Sequence, residues 1–305
     1  MDKRDINPAV AARMVAEQFP QWASLPVVPV PLDGWDNTTF RLGDRLCLRL
    51  PSAAAYVAQV EKEHRWLPVL ARRLPLAIPE PVALGEPGGG FPRPWSIYRW
   101  IEGNPASVDG IADLSVFADD LAGFLHALHA IDASGGPPPG PHNFFRGGPV
   151  DTYDTQTRGS IERLADEIDP DAATNAWDAA LASRWDREPM WVHGDVAASN
   201  LLVADGNLRA VIDFGCAAVG DPACDLVMAW TFFAGDSRDV FRSALPFDAA
   251  TWARGRGWAL WKALITLAHE RAGGPDAEAA ARRFGWRSGA REVIDAVLAD
   301  HGRSA

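Results

Sequence analysis

The spacing of apolar residues changes period near residue 103, and this change constrains the fold more than any other feature of the chain. Before it, the pattern is mostly that of strands. TTFRL, the turn Gly43-Asp44 and RLCLRL predict a hairpin with Leu46, Leu48 and Leu50 on one face and Arg45, Cys47 and Arg49 on the other. After Pro51, SAAAYVAQVEKEHRWL predicts a capped helix that Pro68 bends or ends. On a helical wheel its Tyr56, Val60, Glu63 and Leu67 share one stripe, whereas Glu61 falls outside it. WSIYRWI is a further extended run, closed by the break Glu102-Gly103-Asn104-Pro105. Beyond the break, Leu114, Phe117, Leu121, Phe124, Leu125, Leu128 and Ile131 keep helical spacing, so His126 and His129 read as packing or surface groups rather than metal ligands. Helical segments continue to about Arg187 and close the chain in FDAATWARGRGWALWKALITLAHE and DAEAAARRFGWRSGAREVIDAVLAD. One β-rich island, Trp191 to Phe214, interrupts them. The expected fold class is α+β: a small β-rich lobe over 1–102 and a larger, mainly helical lobe over 103–305.

Composition removes several function classes. With 48% apolar residues and 13 tryptophans, the chain is a packed globular protein. Lys plus Arg number 29 against 40 Asp plus Glu, a net charge of −11. Nucleic acid requires clustered cations, so no such partner is expected, and the acidic balance suits a cationic ligand. Cys47, Cys216 and Cys224 form no C-x-x-C pair, which argues against a disulfide framework or a structural zinc site. MDKRDINPAV opens with charges and no apolar run behind it, so no secretory signal is expected, and with no apolar run of about 18 residues the expected location is the cytoplasm, away from membranes. Lys3, Lys62 and Lys262 are the only lysines.

The island reads WVHGDVAASNLLVADGNLRAVIDFGCAAVGDPACDL. Asn200 follows Asp195 by five positions, and the strand LLV turns at Asp205-Gly206-Asn207 into LRAVI, which delivers Asp213-Phe214-Gly215. Two carboxylates and an amide are thereby brought to the ends of a hairpin and its preceding loop. Phosphoryl transfer needs this set, with a base at the attacking hydroxyl and hard oxygen ligands for magnesium. The kinase signature H-R-D-L-x-x-x-N followed by D-F-G has the same order and the same Asp-to-Asn offset. His193 is expected to orient the loop, since the Asp195 carboxylate already serves as the base.

From GWDNTTFRLGD through LRLP, EKEHRWLP and YRWIEG to HGDVAASN, IDFG and DPACDL, the chain resembles the aminoglycoside phosphotransferases, within the wider family that includes choline and homoserine kinases. The resemblance implies a two-lobed, protein-kinase-like fold. It implies Asp195 as the catalytic base, Asn200 and Asp213 as Mg2+ ligands, and Asp221 to Asp225 as support for the catalytic loop. Only Cys216 to Gly220 separate Asp213-Phe214-Gly215 from Asp221-Pro222, which leaves no room for an activation loop, and no A-P-E follows. Gly194 also removes the arginine that would receive an activating phosphate. A small-molecule hydroxyl acceptor is expected, and a protein substrate is not.

Phosphate binding falls to the first lobe. No lysine lies on a predicted strand, and Arg49 occupies the corresponding place, with Glu63 as its partner on the inward stripe. The alternative is an exposed arginine and a tolerated helix glutamate. Asn37, Thr38 and Thr39 are candidate donors to phosphate oxygens. Arg99 and Ile101 offer backbone groups to the base of ATP or GTP, with Tyr98 or Trp100 lining its pocket. For the acceptor, Asp225, Trp230, Asp236, Trp258, Trp261 and Glu270 are candidates, as carboxylates for amines and tryptophans for sugar rings or cations. The tryptophans fit a core equally well, and NFFRGGP (143–149) either closes over substrate or connects helices. The leading expectation is an ATP- or GTP-dependent O-phosphotransferase acting on an aminoglycoside-like antibiotic. The alternatives are a housekeeping kinase for an amino alcohol, sugar or macrolide, and a nucleotide-binding protein without turnover.

Overall fold

The structure, a computed structural model, describes residues 3–31, 34, 36–273 and 285–304. Trp35 and positions 276–284 of the last expected helix lie outside the described residues. The chain forms two compact units, Met1–Glu102 with Val211–Cys216, and Gly103–Ala210 with Ala217–Ala305.

The first unit is built on a five-stranded antiparallel sheet. Its helix α1 (Pro8–Gln18) starts at Asn7, whose side chain accepts from the Ala9 and Val10 amides, with Pro8 in the first turn where no amide is needed. The strands are β1 (Val27–Pro29), β2 (Asn37–Leu42), β3 (Leu46–Pro51), β4 (Pro81–Gly85) and β5 (Trp95–Arg99), in the order β1-β2-β3-β5-β4. Met14 and Val15 of α1 join Phe40, Leu42, Leu48, Leu50, Trp95 and Ile97 in one core. The predicted hairpin is β2–β3, with Thr39 opposite Arg49 and Phe40 opposite Leu48. The face opposite the leucines is only partly solvated, with Arg45 exposed and Cys47 buried. Helix α2 (Val57–Leu70) differs from expectation at both ends. It has no side-chain cap, and Pro68 lies inside its last turn, where the lost amide bond precedes the helix end by only two residues.

Val211–Cys216 belongs to this unit although it lies far away in sequence. The Val211 amide donates to Ala77 O at 3.0 Å, and Lys62 Nζ of α2 donates to Gly215 O at 2.6 Å.

The second unit contains β6 (Asn104–Pro105), α3 (Leu114–His129), α4 (Asp154–Arg163), α5 (Pro170–Leu181), β7 (Met190–Val192), β8 (Leu201–Ala204), β9 (Asn207–Val211), β10 (Ala218–Gly220), α6 (Met228–Thr231), α7 (Asp236–Ala244), α8 (Ala249–Arg271) and α9 (Ala290–Ser304). The island becomes two small sheets, β6-β8-β9 and β10-β7. Asp113 caps α3 by accepting from the Ser115 and Val116 amides, and the heptad-like stripe from Phe117 to Leu128 is buried as its spacing requires. Helix α8 is buried all round from Thr251 to Leu264, except Lys262, which marks it as the central helix of this unit. Two of its arginines are buried and each is paired. Arg254 Nε meets Asp221 at 2.7 Å, and Arg256 Nη1 meets Asp300 of α9 at 3.0 Å. No helix among the described residues is long and apolar enough to cross a membrane.

Two glycines set the path of β10 into the loop that follows. Asp221 N donates to Gly147 O at 2.7 Å, and a Cβ on Gly220 would lie 2.1 Å from that same carbonyl oxygen. The backbones approach too closely for any side chain. Gly220→Ala should therefore lower the stability of the folded chain by about 1–3 kcal/mol, read as a shift of the urea midpoint at constant m. A loss below about 0.5 kcal/mol would mean that the two segments part without cost.

Candidate active site

In the first unit, strand alternation places Arg49 away from the leucine core, and there it meets two carboxylates. Its Nη1 donates to Glu63 Oε1 at 3.2 Å, and its Nη2 donates to Asp213 Oδ1 at 2.7 Å. The Tyr98 hydroxyl donates to Glu63 Oε2 at 2.5 Å. Burial opposes the Arg49 charge, but Glu63 and Asp213 outweigh it and hold its pKa well above the ordinary value. Burial, then the Glu63 charge, pushes the Tyr98 phenol well above its ordinary range, so it stays a donor. A planar guanidinium can serve both carboxylates at once, whereas an ammonium is a point charge. Asp213 itself has φ of 66°, in the left-handed region that non-glycine residues seldom occupy.

The phosphate-loop candidates divide by strand alternation. Thr39 pairs with Arg49 across the hairpin, so Thr39 and Asn37 share the Arg49 face. Thr38 alternates with Phe40 and Leu42 toward the core, and its Oγ1 is buried without a hydrogen-bond partner. Asp36 is tied down next to them, since Gln59 Nε2 donates to its Oδ2 at 3.0 Å and Ser52 N to its carbonyl at 2.8 Å. At the end of β5, the Arg99 amide already donates to Glu80 O, and its side chain pairs with Glu80 on the surface. The Ile101 amide makes no hydrogen bond among the described residues. Of the two aromatic candidates for the base pocket, Tyr98 is committed to Glu63, and the Arg41 guanidinium lies 4.4 Å from the Trp100 ring centroid. Lys62 was given no role by the helical stripe. Its ammonium nevertheless holds Gly215 O, and burial lowers its pKa. Only its position next to Glu63 hints at this in the sequence.

The catalytic-loop candidates lie in the second unit, at the end of β7. Asp225 is fully buried and binds two successive amides, with Oδ2 accepting from His193 N at 2.8 Å and Oδ1 from Gly194 N at 2.7 Å. Gly194 has φ of 81°, a conformation glycine adopts without strain. His193 Nδ1 accepts from the Asp195 amide at 3.2 Å, so this histidine orients the loop. Asn200 Nδ2 donates to both Asp195 O at 2.9 Å and Asp195 Oδ2 at 3.1 Å. Asp195 Oδ1 and the Asn200 amide oxygen make no hydrogen bond among the described residues. Asp221 anchors the next turn through Arg254 and the Ala223 amide.

Beside Asp195 is a cleft bordered by Arg146, Cys224, Thr231, Trp258, Trp261, Lys262 and Trp286. Of the acceptor candidates, Trp258 and Trp261 are there. The others have different places. Asp225 is consumed by the loop amides, Trp230 is buried with its indole donating to Asp300 Oδ2 at 3.2 Å, Asp236 is exposed in the first turn of α7, and Glu270 lies in the last turn of α8. Arg146 is a residue the sequence did not single out. The 143–149 stretch folds inward, with Asn143 fully buried and its side chain accepting from Gly140 N and donating to Arg146 O. The Arg146 guanidinium lies 5.0 Å from the Trp258 ring centroid and 4.8 Å from that of Trp261.

Residues 27–258 match the model of the phosphotransferase enzyme family. No curated protein matches the chain significantly in sequence. Among solved structures, the GDP complex of aminoglycoside 2'-phosphotransferase-IIIa is 20% identical with a TM-score of 0.66, covering 97% of this chain and 100% of its own. The streptomycin–ATP ternary complex of APH(2")-IIa is 17% identical with a TM-score of 0.58, covering 95% and 99%. The apoenzyme of macrolide 2'-phosphotransferase MphH from Brachybacterium faecium is 23% identical with a TM-score of 0.58, covering 90% and 97%. The fold is α+β and protein-kinase-like, and the chain belongs to the phosphotransferase enzyme family.

Proposed function

We propose that this chain transfers the γ-phosphoryl group of a nucleoside triphosphate to a hydroxyl of a small molecule. The observation that carries the reading is the Asp195–Asn200 pair, set on a loop whose amides a buried carboxylate holds in place. Asn200 takes one Asp195 oxygen and leaves the other to accept or orient the hydroxyl proton. The acceptor oxygen forms a bond to the γ-phosphorus as the bond to the β–γ bridging oxygen breaks, and the nucleoside diphosphate leaves.

Arg49 is the cation for the triphosphate, with Glu63 and Asp213 setting its orientation and Tyr98 steadying Glu63. Asn37 and Thr39, on the same strand face, are the side chains best placed to donate to phosphate oxygens, and the Ile101 amide is open to the base. Neighbours solved with GDP and with ATP support a purine nucleotide donor of either kind. Magnesium, when bound, neutralises phosphate charge. The Asn200 amide oxygen, turned away from Asp195 by its own amide bond, and the Asp213 carboxylate are hard oxygen donors of the type it takes. Three free, buried cysteines support a reducing compartment such as the cytoplasm.

An aminoglycoside-like acceptor draws support from two of the neighbours. The cleft next to Asp195 favours the second reading, a small-molecule kinase for a less cationic acceptor. It is bordered by Arg146 and Lys262, with Asp195 as its only carboxylate among the described residues.

The test is phosphoryl transfer across aminoglycosides, macrolides, choline, sugars and hydroxy acids, with ATP and GTP in turn. Nucleotide binding without transfer to any hydroxyl would remove the enzymatic reading. Asp195→Asn should lower kcat by about 10²–10⁴ while nucleotide Kd stays within about twofold. Unchanged kcat would take Asp195 out of its role. Arg49→Ala should weaken nucleotide binding about tenfold or more, with partial recovery in Arg49→Lys. Equal Kd in wild type and Arg49→Ala would mean another cation holds the phosphates.

A further inference from the structure

Arg146 is the exception among the buried arginines of the second unit. Arg254 and Arg256 each face a carboxylate. Arg146 is just as deeply placed, at 8% exposure, but its guanidinium makes no hydrogen bond and no ion pair among the described residues. It is held only by the faces of Trp258 and Trp261, and Trp261 is in turn stacked on Tyr153 with centroids 3.9 Å apart. Aromatic faces offset only part of the cost of burying a charge that has no ion pair. A second buried donor without an acceptor is Nε1 of Trp258, whose ring centroid lies 5.0 Å from the Arg146 guanidinium. Both residues border the cleft onto which Asp195 opens.

These donors define what the cleft accepts. An amine would meet the Arg146 cation, and the tryptophan faces that could hold it are already occupied by Arg146. An oxygen-rich anionic group supplies the acceptors that these orphaned donors lack, and a guanidinium favours it in a bidentate manner. The cleft has a cavity volume of about 40 Å³, room for a small group beside these side chains.

We propose that Arg146 and Trp258 Nε1 form a carboxylate subsite, and that the acceptor is a hydroxylated carboxylic acid. The proposal rests on the phosphotransferase reading for the hydroxyl and on the orphaned donors for the acid. In it Arg146 determines specificity, and the chemistry stays with Asp195.

Calorimetry on the full chain with benzoate, methyl benzoate and benzylamine tests the subsite apart from turnover. Benzoate should bind about tenfold or more tightly than either of the others. Arg146→Met, which keeps the apolar stem over the indoles, should abolish that preference, and Arg146→Lys should restore part of it. Trp258→Phe keeps a ring and removes the donor, and should weaken benzoate binding about threefold or more without changing benzylamine. The proposal is overturned if benzoate does not bind, if benzylamine binds as tightly, or if Arg146→Met leaves the benzoate Kd unchanged. Transfer to 3-(hydroxymethyl)benzoate, with a KM at least about tenfold below that of its methyl ester, should follow the same Arg146 dependence. Transfer to aminoglycosides with no preference for acids overturns the subsite and leaves the phosphotransferase standing. Benzoate discrimination without transfer to any hydroxyl does the reverse.

Discussion

One guanidinium held between two carboxylates organises the first unit. Arg49 faces Glu63 from the neighbouring helix and Asp213 from a segment more than 160 residues further along the chain. Each partner would be costly alone: Glu63 is 5% exposed, and a buried carboxylate without a cation is strongly destabilising. Together they are self-consistent, and the link explains why Val211–Cys216 belongs to this unit and not to the helices around it in sequence. Lys62 reinforces it through Gly215 O, next to the same cluster. The left-handed backbone of Asp213 is held in place by these bonds.

The second unit follows the same rule with opposite polarity. There a buried carboxylate, Asp225, is neutralised by two backbone amides, and a second, Asp221, by Arg254. Fixed amides cannot rotate away as a side chain can, so the turn His193-Gly194-Asp195 has a defined direction before any ligand arrives. Asn200 then fixes which Asp195 oxygen is engaged. The loop that carries Asp195 is thus positioned by charges that do not themselves line the cleft. This accounts for the different place of Asp225, which as a carboxylate near the site looks in sequence like a group for a substrate amine.

What the sequence made legible follows from period and spacing. The β2–β3 hairpin, the amphipathic α3 and the Asp195, Asn200, Asp213 series are all written in local pattern, and Glu63 stands out because a charge on an apolar stripe needs a partner. Thr38 was less legible because alternation puts it on the core side only once the register with Leu50 is fixed. Helix α8 defeats periodicity, since a helix buried all round has no stripe, and its tryptophans could not be divided into core and cleft. Arg146 had no signal: it lies in a glycine-containing loop whose inward turn depends on Asn143 binding Gly140 N and Arg146 O.

Arginine replaces lysine nearly throughout this chain, and the consequence differs by place. At Arg49 the fork geometry lets one side chain serve two acids, Glu63 and Asp213, which a point-charge ammonium does less well. At Arg146 the flat, weakly hydrated guanidinium can lie against two indoles where an ammonium would be desolvated at greater cost. The net charge of −11 suggests a cationic acceptor, yet among the described residues the cleft beside Asp195 is bordered by two cations and one acid. The charge of the whole chain and the charge at one cleft are thus separate quantities, because interactions between exposed groups are screened over about 8 Å.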